Sequence, residues 1–188
     1  MQARQGAAIN KMIRYYVTDR RQGDLIAFAA RAVREGVDMI QLREKDLPDK
    51  ELFELACKIR NLAAGTKTTV LVNDRLDVAL AVNAGGVHLP ANGLPAERVR
   101  SFVKLLGVST HTIEESVAAE KSHADFIVFG PIFDTPGKNA VGLAPLRTVV
   151  RAVKIPVVAI GGITQATTQQ VLDTGAAGIA GIRMFQMD

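Results

Sequence analysis

From Met12 onward, short apolar runs alternate with longer stretches in which apolar residues recur every three or four positions. The first pattern predicts buried strands and the second amphipathic helices. Ile13–Thr18 is the first predicted strand. Asp24 can cap a helix over Leu25–Arg34, which Gly36 ends. Met39–Arg43 is the second strand, with a helix over Asp49–Ala64. Thr69–Asn73 is the third, with a helix over Leu76–Asn83, and Ala84-Gly85-Gly86 turns the chain into a fourth at Val87–Leu89. Pro95 opens the next helix, where a missing N–H costs little.

The fifth strand, Leu105–Val108, ends at Ser109-Thr110-His111. Thr112 starts a helix with Glu115 at capping-box spacing. Phe126–Gly130 is the sixth strand, followed by a polar loop, Asp134–Gly142, and a helix over Ala144–Val153. Pro156–Ile160 is the seventh, followed by Gly161-Gly162 and a helix over Thr164–Asp173. Gly178–Ile182 is the eighth.

Eight apolar strands with little internal alternation, each but the last followed by a helix, predict an α/β fold: a single-domain (β/α)8 barrel over residues 13–188. An open doubly wound sheet fits less well, because no Gly-x-Gly-x-x-Gly turn follows the first strand. Arg183–Asp188 is too short for a full helix, so the last outer helix is apparently missing. The barrel would lack that cover or borrow it from a second copy, which leaves room for a homo-oligomer. Residues 1–12 carry cations but no apolar h-region and read as an N-terminal tail.

The stretch Gln41-Leu42-Arg43-Glu44-Lys45 focuses the chemistry. Side chains alternate along a strand, so Gln41, Arg43 and Lys45 fall on one side and Leu42 and Glu44 on the other. Two cations and an amide on one face suit phosphate or diphosphate. Binding groups in such barrels collect at the carboxyl ends of the strands. Those ends supply Thr18, Asn73, Asp74, His88, Ser109, His111, Gly130 with Thr135 and Lys138, Gly161, Gly162 and Arg183.

Gly161-Gly162 before a helix start at Thr164 forms a second candidate anion site, or a plain tight turn. Asp74 could hold Mg²⁺ beside a diphosphate or cap the following helix. His88 and His111 could shuttle protons or be structural. Lys138, in a loop with Thr135-Pro136-Gly137, is a lid candidate or a solvated side chain.

Composition narrows the partners. The net charge of +4 comes without a dense basic run, and aromatic content is only 5%, which argues against nucleic acid and for a small anionic ligand. No run is long enough for a membrane span. The lone Cys57 excludes a disulfide framework and fits a reducing, cytoplasmic setting.

Seven motifs, in order and spacing, resemble the thiamine phosphate synthase/TenI family. They are Tyr16-Val17-Thr18-Asp19, Gln41-Leu42-Arg43-Glu44-Lys45, Val72-Asn73-Asp74-Arg75, Gly86-Val87-His88-Leu89, Val108-Ser109-Thr110-His111-Thr112, Gly130-Pro131-Ile132-Phe133 and Ala159-Ile160-Gly161-Gly162-Ile163. The resemblance implies a TIM barrel that joins hydroxymethylpyrimidine diphosphate to a thiazole phosphate with release of diphosphate, Mg²⁺ being the cofactor. It implies that Gln41, Arg43, Lys45, Asn73, Ser109 and Lys138 hold the pyrimidine diphosphate. Of these, Arg43, Lys45, Ser109 and Lys138 are the candidate catalytic groups. Asp74 matches a metal ligand, and Thr135 and Gly161 match contacts to the thiazole phosphate.

The chain departs from the synthase pattern at Gly93, where a second metal-binding carboxylate belongs, which leaves Asp134 or the diphosphate itself to complete the site. Leu89-Pro90-Ala91-Asn92-Gly93 looks more like the TenI branch, yet Pro131 stands where that branch has a histidine. Gly137 precedes Lys138 where Ser or Thr is usual, and Arg183 replaces a usual Ser. Three functions stay open: the synthase, a thiazole tautomerase with His111 or His88 as base, and a non-catalytic phosphate-ligand regulator.

Overall fold

The computed structural model describes residues 12–186, so the expected N-terminal tail lies outside the described residues except for Met12. Eight strands close into one parallel barrel in sequence order: β1 (Ile13–Val17), β2 (Met39–Leu42), β3 (Thr69–Asn73), β4 (Gly86–Leu89), β5 (Leu105–Thr110), β6 (Phe126–Phe129), β7 (Val157–Ile160) and β8 (Gly178–Gly181). The helices are α1 (Leu25–Arg34), α2 (Asp49–Ala63), α3 (Leu76–Ala81), α4 (Ala96–Val99), α5 (Ile113–Lys121), α6 (Leu143–Ala152) and α7 (Gln165–Leu172). No helix among the described residues is long and apolar enough to cross a membrane.

Both faces of each strand are buried, which is why the strands read as unbroken apolar runs. Tyr15, Met39, Leu71, Phe126, Val158 and Ala180 fill the barrel interior. Their neighbours in sequence, such as Tyr16, Ile40, Val70 and Val72, face outward into the layer shared with the helices.

Several ends differ from the pattern by a residue or two. β5 runs on through Ser109 and Thr110, because these polar residues still pair with Val128 and Phe129 of β6. The helix after Pro95 is only four residues long before it tightens into a 3₁₀ turn, Arg100–Phe102. There the Arg100 guanidinium donates to the carbonyls of Val103 and Lys104 and pairs with Asp125. At α5, Thr112 accepts from the Glu115 N–H, as the spacing predicts. The Glu115 carboxylate, however, reaches past the cap to the His111 N–H at 2.6 Å, so the box is shifted by one residue.

After β8 the chain forms a 3₁₀ turn, Arg183–Phe185, where a last helix would begin. Phe185 is buried beside Tyr16 with Arg14 over its ring, Arg31 donates to its carbonyl at 2.9 Å, and Gln186 donates to the Tyr16 hydroxyl at 3.1 Å. Within the described residues this short segment supplies the cover beside β1.

Candidate active site at the barrel mouth

Alternation along the strands places the site. The inward positions change from apolar to polar toward the carboxyl ends: Met39 is followed by Gln41, Leu71 by Asn73, Gly86 by His88, and Gly107 by Ser109. All strands are parallel, so these ends meet at one mouth.

β2 stops at Leu42, and the next two residues are held by the segment that follows β1. The buried Thr18 hydroxyl accepts the Arg43 N–H at 3.0 Å and donates to Glu44 Oε1 at 2.7 Å. The Glu44 carboxylate also accepts the Arg20 N–H at 3.2 Å, and Arg20 continues to Asp46 at 2.7 Å. Glu44 is 5% exposed and fully engaged in shaping this loop. Arg20 takes both carboxylates, and no described ion pair engages Arg43 or Lys45. Arg43 is half-buried and Lys45 exposed, both beyond the last strand residue, Leu42.

Gln41 sits deeper than expected. It is 3% exposed and forms the floor of the mouth, where its amide donates to the Tyr15 hydroxyl at 3.0 Å. That hydroxyl lies 3.2 Å from His88 Nδ1, and His88 Nε2 lies 2.8 Å from Ser109 Oγ. Three sequence candidates are thus joined through Tyr15, which the sequence pattern does not single out. The one hint was its hydroxyl, since a tyrosine inside a barrel needs a hydrogen-bond partner.

Burial, with the Arg43 charge adding to it, pushes the His88 pKa from 6.5 down to about 3. The imidazole is therefore neutral near pH 7. The unfolded chain binds a proton below pH 6.5 that the native state refuses until about pH 3, so this group makes stability fall as pH falls through that window. The slope should approach about 1.4 kcal/mol per pH unit. Chemical denaturation at a series of pH values between about 6 and 4 should show this slope, and His88→Gln should flatten it.

At the end of β3, Asn73 is buried and Asp74 is exposed with φ 63°, a left-handed conformation that Asp tolerates better than most residues. The alternative role of Asp74 as a helix cap is not realised: α3 has Arg75 in the cap position and no side-chain cap. A cavity of about 260 Å³ at the ends of β2 and β3 is lined by Glu44, Lys45, Asn73, Asp74 and Arg75, with Leu42, Leu47 and Leu52 as its apolar side. A larger hollow of about 380 Å³ between α2 and α3 is lined by Asp49, Phe53, Arg75 and Asp77. It adjoins the first cavity through Arg75, which is paired with Asp49 and Asp77.

The fit to Mg²⁺ is narrow. No cluster of three His, Cys, Asp or Glu able to hold a metal occurs among the described residues. A Cβ on Gly93 would lie 3.1 Å from Asp74 Oδ1, so this position faces the carboxylate, but the Pro90 ring would crowd it at 2.8 Å. Asp134 is engaged elsewhere, accepting the Ala140 N–H at 3.0 Å. The residues suit a Mg²⁺ that keeps its waters, takes one carboxylate from Asp74 and relies on substrate phosphate oxygens.

On the opposite wall, His111 Nδ1–H donates to the Gly130 carbonyl at 2.6 Å, which fixes that ring against the end of β6. The loop beyond folds back through a turn, Thr135–Lys138, closed by N–H to carbonyl bonds in both directions. Gly137 has φ 75°, as the third position of a type II turn requires after Pro136. Lys138 is exposed at this turn.

Gly161 and Gly162 have φ 101° and 63° and press against Pro131 and Phe133. Among the described residues no acceptor takes their N–H groups, and Thr164 follows with a reciprocal cap to Thr167. Arg183, on the adjoining strand end, is exposed at the start of its turn.

Comparison with known proteins gives the family and the fold. The sequence profile described as thiamine monophosphate synthase matches residues 14–185. A protein of Pyrococcus horikoshii named thiamine-phosphate synthase is 42% identical over 175 residues, covering 90% of this chain and 84% of its own. One of Clostridium acetobutylicum with the same name is 38% identical over 175 residues, covering 88% and 83%. The solved thiamine phosphate pyrophosphorylase of Pyrococcus furiosus superposes with a TM-score of 0.85 at 39% identity, covering 92% of this chain and 86% of that one.

Proposed function

This chain belongs to the thiamine monophosphate synthase family, and on that premise we propose how its barrel mouth carries out the family's condensation. It is an enzyme, a transferase of thiamine biosynthesis with thiamine-phosphate synthase activity. The substrates are hydroxymethylpyrimidine diphosphate and a thiazole phosphate. The bond from the pyrimidine methylene to the diphosphate breaks, and its electron pair leaves on the diphosphate. The thiazole partner supplies the pair for the new bond.

In our reading, Arg43 and Lys45 meet the charge that grows on the departing diphosphate. Such contacts count most where charge develops in the transition state. Gln41, Asn73 and Ser109 orient the pyrimidine half from the floor, and Lys138 approaches from the loop opposite. The free N–H groups of Gly161 and Gly162, with Thr135, receive the thiazole phosphate, and Arg183 stands beside them. Mg²⁺ bound by Asp74 would neutralise part of the diphosphate charge. A reducing cytoplasmic compartment belongs to the same proposal, in keeping with a single, half-buried Cys57.

The observation that carries this reading is the cavity shared by Lys45, Asn73 and Asp74, with Arg43 in the same short loop, its backbone N–H held by Thr18. The test mixes purified protein with both phosphorylated substrates and Mg²⁺ and follows diphosphate and thiamine phosphate. Product should require both substrates and disappear with chelator. Binding of both substrates by calorimetry without any product would overturn the proposal.

A further inference from the structure

We propose that Tyr15 is a positioning residue of this reaction: it holds His88 as the Nε2–H tautomer, and His88 in turn directs the hydroxyl proton of Ser109 outward to the substrate. The inference rests on the synthase reading for its consequence, but its geometry stands apart from it.

The argument is a count of donors. The Gln41 amide donates to the Tyr15 oxygen at 3.0 Å, so Tyr15 must place its own proton elsewhere. Its remaining polar neighbour is His88 Nδ1, at 3.2 Å. Tyr15 is 0% exposed, so no bulk water competes for that proton. The aromatic edge of Phe126 closes the rest of the space, with ring centroids 5.7 Å from Tyr15 and 6.0 Å from His88. On the other side His88 lies against bare backbone, because a Cβ on Gly107 would meet Nδ1 at 2.8 Å.

With Nδ1 accepting, the neutral ring carries its one proton on Nε2, and this donates to Ser109 Oγ at 2.8 Å. A serine oxygen that already receives a hydrogen bond keeps its own proton free to give. Ser109 is half-buried near the carboxyl end of β5, so that proton is available to the mouth. The opposite tautomer would turn the Ser109 proton back toward His88 and present lone pairs to an anionic substrate. The chain from Tyr15 through His88 to Ser109 thus converts a buried tyrosine proton into the polarity of a hydroxyl at the mouth.

The test is long-range proton–nitrogen correlation on the full chain with ¹⁵N-histidine. The chain has three histidines, and the signals lost in His88→Gln assign the one in question. Wild type should show His88 protonated at Nε2 with an unprotonated Nδ1. Gln41→Glu replaces the amide donor with a carboxyl group that only accepts once ionised, so as pH is raised and it loses its proton Tyr15 should turn to it and His88 should shift to the Nδ1–H form. Tyr15→Phe should give a mixture of tautomers. Its kcat should fall by at least about tenfold, as for loss of one aligned donor, with KM changed less than about twofold.

An Nδ1–H tautomer in wild type, or a kcat unchanged in a folded Tyr15→Phe, would overturn the inference. The two wild-type and Gln41→Glu spectra decide the relay even if Tyr15→Phe does not fold. Absence of condensation in wild type would bring down the synthase reading, and the spectra would still decide the relay.

Discussion

Arg43→Ala should lower kcat/KM for the diphosphate substrate by about 10²–10³, the range seen when one donor to a developing oxyanion is removed. The fold should hardly notice. The contact that shapes this loop is the Arg43 backbone N–H to Thr18 Oγ1, and alanine keeps it. The loss is confined to a half-buried guanidinium that no described ion pair engages. Arg43→Lys should recover part of the activity, since it restores the charge but not the planar fork that matches phosphate oxygens. Steady-state kinetics on the three proteins, with thermal midpoints alongside, provide the check. Activity within about twofold of wild type in the alanine variant would remove the end of β2 from the diphosphate site.

Gly161→Ala should affect stability and phosphate binding together. The new Cβ would lie 2.4 Å from Pro131 Cβ and 2.5 Å from Pro131 Cα, both fixed atoms of the facing loop. The backbone is also left-handed there, with φ 101°. The conformational cost is about 1–2 kcal/mol and overpacking adds about 1–3, so unfolding should require about 2–5 kcal/mol less. For a chain of this size, that is a fall in thermal midpoint of roughly 5–15 °C. The KM for the thiazole phosphate should rise, because relief of the clash moves the two free N–H groups.

Gly137→Ala is the matched comparison. Its φ is 75°, but nothing lies within 4 Å of the added atom, so only the conformational cost applies. Equal losses from the two substitutions would show that packing against Pro131 is not what Gly161 provides.

Much of this was legible in the sequence. β3 and α1 have the bounds that the apolar period and the caps imply, because Thr69–Asn73 is flanked by polar residues and Asp24 has no competing partner. The mouth residues were legible because the period of two carries Gln41, Asn73, His88 and Ser109 inward past the last apolar layer. The end of β5 was not, since Ser109 and Thr110 look like loop residues until β6 is present to pair with them. Glu44 reads as the far side of a charged strand end. Only the fold brings Thr18 and Arg20 round to it from another strand. The neutrality of His88 depends on being walled in by Tyr15 and Phe126, and no spacing along the chain encodes that. Gly93 was legible as a missing carboxylate, whereas the Pro90 ring that crowds its place became visible only in three dimensions.

The clasp of Thr18, Glu44 and Arg20 also has an entropic side. A flexible loop bearing two long cations would lose backbone and rotamer freedom each time an anion arrived, at about 0.5–1.5 kcal/mol for each side chain immobilised. Here the backbone share of that loss falls on folding, when Thr18 fixes the Arg43 N–H and Glu44 is buried. The barrel therefore presents a preorganised cationic edge, and the affinity for a diphosphate depends less on what the loop must give up than on what the anion must shed in water.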